Sequence, residues 1–179
     1  MVFTKNVYGL PLKKKDLIKA ISHPKAHFGP FKEAIDFVLP EESFILAPKV
    51  GEVIEIKVDS KEGGFEPKYN DVKYLNYMTI QHSDGEYSQY AHLRHKGALV
   101  KVGDKVKKGR PIALSGNTGF TTTPHLHFLI FKLNNSEIGF ESLKIRFDEK
   151  ISVDRKDRKV DEKFNVTLKE LERVKKRIK

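Results

Sequence analysis

From Phe44 onward the apolar and polar positions of this chain alternate with the two-residue period of strands rather than the 3.6-residue period of helices. In Val53-Ile54-Glu55-Ile56-Lys57-Val58, the apolar Ile54, Ile56 and Val58 alternate with charges, which predicts a half-exposed strand. Tyr77–His82 and Tyr87–His92 read as two strands joined by Ser83-Asp84-Gly85-Glu86, and Asp-Gly between such runs predicts a hairpin. Alternation along the second strand puts Ser88, Tyr90 and His92 on one face. Val100 to Leu114 predicts two short β pieces around glycine turns, and Ser115-Gly116-Asn117-Thr118-Gly119 a tight turn. That turn leads into His125-Leu126-His127-Phe128-Leu129-Ile130-Phe131, a well-buried strand whose two imidazoles share one face while Leu126 and Phe128 point into the opposite layer.

Before Phe44 the pattern is less regular. Asp16 to Ile21 predicts a short amphipathic helical turn, His23 to Pro30 a loop broken by Pro and Gly, and Glu33 to Leu39 a strand with one carboxylate, Asp36, among apolar residues. The polar, glycine-containing stretch from Lys61 to Asp71 is a loop of the kind that walls binding grooves on β scaffolds. Near the end, Thr167 and Glu170 form a capping box, and Leu168, Leu171, Val174 and Ile178 an apolar stripe, predicting a terminal helix. The expected fold is mainly β: a compact antiparallel-sheet domain over residues 23–148, a lead-in with a short helix over 1–22, and a charged extension with a terminal helix over 149–179.

Composition narrows the chemistry. The chain has 179 residues, room for one ordinary domain with a core, and no cysteine, which excludes disulfides, thiolate metal sites and a cysteine nucleophile. Any metal is therefore held by His, Asp or Glu. The formal charge of +10 attracts anions without choosing among them, and the lysines are scattered rather than interleaved with aromatic residues, so a nucleic-acid partner is not expected. Lys13-Lys14-Lys15 interrupts the N-terminal sequence before a secretory apolar core could form, and no apolar run approaches the roughly 18 residues of a transmembrane span. The expected location is the cytoplasm unless an unrecognised route exports the chain.

An ionised Asp36 among Ala34, Ile35, Phe37 and Val38 is costly to bury unless it meets a cation or a positive side chain. A lysine would serve, but the histidines offer another partner. His27, Asp36, His92, His125 and His127 all lie in strand or turn sequence, and two neutral imidazoles with one carboxylate leave a zinc ion an open position, the catalytic rather than structural arrangement. His82, before a turn, reads as a structural hydrogen-bonding residue, His95 as an exposed loop residue and Tyr90 as a packed side chain.

These residues also carry a family resemblance, from about His23 to Leu133. Four ordered signatures bear it: His27-Phe28-Gly29 with Ala34-Ile35-Asp36-Phe37; Ala47-Pro48 with Gly51-Glu52-Val53; Tyr90-Ala91-His92-Leu93 with Gly103-Asp104-Lys105-Val106; and Gly116-Asn117-Thr118-Gly119 with Pro124-His125-Leu126-His127-Phe128. Together they resemble the lysostaphin-type (LytM-like) zinc metallopeptidases, which cleave the peptides of bacterial cell-wall peptidoglycan. The resemblance implies the lysostaphin-type peptidase fold, one Zn2+ per chain held by His27, Asp36 and His127, and unligated His92 and His125 that orient water, stabilise an oxyanion or donate a proton. It implies a zinc endopeptidase acting on peptide or peptidoglycan-like substrates. His23 competes with His27 as ligand, and Phe28-Gly29 after His27 favours the latter. His27 and Asp36 stand further apart in sequence than in many members, a spacing that also occurs in the family. The alternative is a non-catalytic binding or regulatory module on the same fold; such relatives usually lack a ligand, whereas all five residues are present here.

Overall fold

A computed structural model of the chain describes residues 2–23, 27, 29–136 and 139–155. Its main sheet is ten-stranded, and along it run, in spatial order, Lys105–Val106, Gly51–Lys57, Tyr77–Gln81, Glu86–Ala91, His125–Leu133, Ile35–Val38, Lys19–Ile21 and Val153–Asp154. The strand Phe140–Phe147 forms a hairpin with the far half of His125–Leu133, and Phe3–Tyr8 pairs with it in parallel. A smaller sheet contains Phe44–Leu46, Pro111–Ser115 and Leu93–Ala98. Ile45, Leu93 and Ile112 from the small sheet share one core with Phe37, Met78, Ile80, Leu126, Phe128 and Ile130 from the large one. The core thus lies between two sheets, on the face of the histidine strand that carries its even-numbered residues.

The expected hairpin is present, with Tyr77–Gln81 against Glu86–Ala91 and left-handed backbone at Asp84 and Gly85 (φ 61° and 68°). Turns with positive φ at successive positions match the twist of the strands they join. In Gly51–Lys57 a register irregularity between Val53 and Glu55 changes the expected faces: Val53 and Glu55 are buried, whereas Ile54 and Ile56 are only partly so. Glu55 accepts a hydrogen bond from the Tyr77 hydroxyl (2.9 Å), which compensates its burial.

The expected N-terminal helix is not formed. Lys14–Asp16 makes a single 3-10 turn, and Lys19-Ala20-Ile21 is a strand paired with Val38, Phe37 and Asp36. Pairing with Ile35–Val38 buries Ala20 and Ile21, a gain that outweighs the weak local helical preference of a six-residue stretch. Among the described residues the only helical elements are 3-10 turns, and no helix is long and apolar enough to cross a membrane. The terminal helix expected from Thr167 to Ile178 lies outside the described residues.

Glu86 fastens the N-terminal strand to the sheet. Its buried carboxylate accepts hydrogen bonds from the backbone N–H groups of Lys5 and Asn6, from the Asn6 side-chain amide (2.8 Å) and from the Tyr8 hydroxyl (2.9 Å). Removing it leaves several donors competing for water at a largely closed site. Glu86→Ala is expected to lower unfolding free energy by about 1–3 kcal/mol, measured by urea titration, and a change near zero would show that the strand is held by its pairing alone.

Candidate metal centre

The strand His125–Leu133 lies between two antiparallel neighbours, with His127 opposite Asp36 on one side and Ala91 on the other. Leu126 and Phe128 are fully buried in the core, and His125 and His127 are half-buried on the other face, as alternation requires. Further along that second face, Leu129 and Phe131 are covered by Ala34, Tyr87, Phe31 and Phe140. The histidines therefore occupy the open end of an otherwise packed surface.

Cross-strand pairing brings Asp36 to His127. Asp36 Oδ1 accepts a hydrogen bond from His127 Nδ1 at 2.9 Å, and Asp36 Oδ2 lies 3.2 Å from His27 Nε2. His27 reaches this point from the segment before Gly29–Phe31, so the long sequence spacing between His27 and Asp36 is closed in space. His23 sits behind it: the His27 backbone N–H donates to the His23 carbonyl (2.7 Å), and the two ring centroids are 6.2 Å apart. The group of donors that converge comprises His27, Asp36 and His127, all within 4.8 Å of one another.

His92 arrives differently. It follows the strand Glu86–Ala91 with a left-handed φ of 62°, a conformation uncommon among non-glycine residues, in which Asn, Asp and His are the most frequent. This breaks the alternation expected from sequence. Tyr90 is in the core against Phe128, its hydroxyl bonded to Ser88 (2.9 Å), whereas the His92 ring lies 4.4 Å from His125 and 6.1 Å from His127 between centroids. Tyr90 is the packed residue the sequence suggested, but on the opposite side from His92. His82 is also structural, bonded to the Val50 carbonyl and the Ser88 hydroxyl, both at 2.8 Å. His95 is half-buried in the strand Leu93–Ala98 rather than exposed in a loop.

The loop between Gly116 and Pro124 orders the two remaining imidazoles. His92 Nδ1 lies 2.7 Å from the Thr118 carbonyl and His125 Nδ1 lies 2.8 Å from the Thr123 carbonyl. A carbonyl only accepts, so each ring carries its proton on Nδ1 and leaves Nε2 as its basic atom. His125 Nε2 lies 3.8 Å from Asp36 Oδ1, on the side of the donor group. These backbone carbonyls leave no trace in residue type, although Thr118 belongs to the recognisable Gly116–Gly119 turn.

The electrostatics suit a cation. Burial would raise the Asp36 carboxyl, but the surrounding His125 and His27 and the bond from His127 more than offset it and hold it well below the ordinary carboxylate range. Burial, helped by the neighbouring imidazoles, pushes His92 well below the ordinary histidine value, and it also lowers His127 despite the adjacent carboxylate. Ionised carboxylate and neutral imidazole are the forms that bind metals. Ligands of a tetrahedral zinc site are roughly 3.3 Å apart, given Zn–N and Zn–O bonds near 2.0–2.1 Å. The 2.9 and 3.2 Å separations run from the two different oxygens of Asp36, and the three donors lie within 4.8 Å of one another, so a small inward movement would let them share one ion. Two nitrogens and one oxygen, with no sulfur, form a donor set of the catalytic zinc type.

The sequence model of peptidase family M23 matches residues 30–138, which include Asp36, His92, His125 and His127; His27 lies just before them. The chain belongs to peptidase family M23. It is 39% identical over 114 residues to an uncharacterized metalloprotease of Buchnera aphidicola subsp. Baizongia pistaciae, covering 64% of this chain and 26% of that protein. It is 51% identical over 53 residues to the peptidoglycan DD-endopeptidase ShyA of Vibrio cholerae, covering 30% of this chain and 12% of the relative. The chain thus spans about a quarter or less of the length of these curated relatives. Among solved structures, a zinc containing peptidase from Vibrio cholerae superposes with a TM-score of 0.51 at 27% identity, covering 70% of this chain and 36% of that one. The mainly β, lysostaphin-type architecture expected from the sequence is the one observed, apart from the short N-terminal helix.

The geometry separates His27 from His23 experimentally. His27→Ala, Asp36→Ala and His127→Ala are each expected to reduce bound zinc from about one equivalent to near zero by elemental analysis, while His23→Ala retains it. Retention in His27→Ala with loss in His23→Ala would reverse the assignment.

Proposed function

We propose that this M23 peptidase is a zinc-dependent endopeptidase of peptidoglycan-type peptides, with His27, Asp36 and His127 as metal ligands and His92 and His125 as proton-handling residues. The observation that carries this reading is the convergence of three metal donors beside two imidazoles whose free nitrogens are set by backbone carbonyls. Zinc, when bound, supplies Lewis acidity, lowering the pKa of water to about 7 and polarising a peptide carbonyl.

The chain's own residues would do the rest. Nε2 of His92 or His125 takes the proton released as water attacks the scissile carbonyl, and an imidazolium so formed can hydrogen-bond the developing oxyanion or return the proton to the leaving amine. Neutral His92 is the form that accepts a proton, and its depressed pKa preserves that form at and below neutral pH. The Thr118 and Thr123 carbonyls keep each ring aimed while its proton count changes.

The substrate class rests on family membership and on the relative named as a peptidoglycan DD-endopeptidase. The alternative, a binding module on the same fold, is disfavoured by the complete set of donors and unligated imidazoles. The deciding experiment is digestion of purified peptidoglycan and of short glycine- or D-amino-acid-containing peptides, with products identified by mass spectrometry. His92→Ala and His125→Ala are expected to keep zinc while kcat falls by about 10²–10⁴-fold. Binding of peptidoglycan without cleavage by the zinc-loaded wild type would favour the binding-module reading.

A further inference from the structure

We infer that Thr118 is the positioning residue for His92, and that its side-chain hydroxyl acts through buried Asn76 to place the carbonyl that fixes the His92 tautomer. The inference rests on the peptidase reading for its catalytic consequence, although the tautomer is measurable without it.

His92 needs such a device because its strand does not supply one. The pairing of Glu86–Ala91 ends before it, and its left-handed backbone turns the ring away from the face that strand alternation would give it. Two contacts from the Gly116–Gly119 turn replace that pairing. The Gly116 N–H donates to the His92 carbonyl (3.0 Å), and the His92 Nδ1–H donates to the Thr118 carbonyl (2.7 Å). The approach is close enough that a Cβ on Gly116 would lie 2.6 Å from the Arg94 backbone.

The Thr118 carbonyl is itself held through the same residue's side chain. Thr118 Oγ1 donates to the Leu93 carbonyl (2.8 Å) and accepts from the Asn76 N–H (3.2 Å). Asn76, fully buried, donates from Nδ2 to the carbonyls of Leu93 (3.1 Å) and Ser60 (2.9 Å), and its Oδ1 accepts from the Ser60 N–H (2.9 Å). Its own carbonyl accepts from the Leu93 N–H (3.2 Å). Leu93, the residue after His92, is therefore held at both backbone groups, and the Thr118 hydroxyl ties that residue to the turn facing the His92 ring. A buried, fully bonded network of this kind specifies one geometry, and losing one member releases the carbonyl from its place.

Thr118→Val keeps the shape and removes both hydroxyl bonds; Thr118→Ser keeps the bonds. In the full chain labelled with 15N-histidine, wild-type His92, assigned by the signal lost in His92→Gln, is expected in the Nδ1–H form. Thr118→Val should give a mixture of tautomers, with kcat down by about 10–100-fold, KM and zinc content unchanged, and Thr118→Ser near wild type. Thr118→Ala makes the same comparison if the valine variant does not fold. An unchanged tautomer and kcat in Thr118→Val, or equal losses in the serine and valine variants, would overturn the inference. If the wild type cleaves no peptide, the peptidase reading fails, and the tautomer alone decides whether Thr118 positions His92.

Discussion

The structure depends on a carboxylate placed inside a sheet, directly across from an imidazole. Asp36 lies on a strand whose neighbours Ile35 and Phe37 are buried, and it is paired in register with His127. An ionised carboxylate there is unfavourable without compensation, and the compensation comes from His27, His125 and His127. The same proximity that makes the group tolerable makes it a set of metal donors. Structural and chemical requirements are met by the same contacts.

Register transmits this constraint to the whole fold. A one-residue slip of His125–Leu133 would turn both histidines into the core and expose Leu126, Phe128 and Ile130, so the packed face fixes the reactive one. The strand pairs on one side with Ile35–Val38, which brings Asp36, and on the other with Glu86–Ala91, which delivers His92 at its end. The turns and loops then refine the arrangement. His27 reaches Asp36 from outside the sheet, while carbonyls of the Gly116–Pro124 loop bond the His92 and His125 rings.

Much of this was legible in the residues because alternation and turn chemistry are local. The hairpin at Asp84-Gly85, the shared face of His125 and His127 and the strand carrying Asp36 follow from spacing of two and from glycine placement. What escaped was decided by contacts distant in sequence. Lys19-Ala20-Ile21 is a strand because a partner edge is available, not because of its own preference. His92 leaves the face of Tyr90 through a backbone conformation that histidine does not advertise, and Glu55 is buried because the register slips beside it. The Thr118 and Thr123 carbonyls and the Asn76 hub belong to backbone groups or to a residue type with many ordinary uses, so only the folded chain reveals them.

The most direct test of the central claim is a crystal structure of the zinc-loaded protein with anomalous data collected at the zinc edge. The account predicts one strong peak among His27 Nε2, an Asp36 carboxylate oxygen and His127 Nδ1, with His92 and His125 outside bonding distance. A peak held by His92, His125 or His23 in place of any of those three, or no peak at saturating zinc, would contradict it.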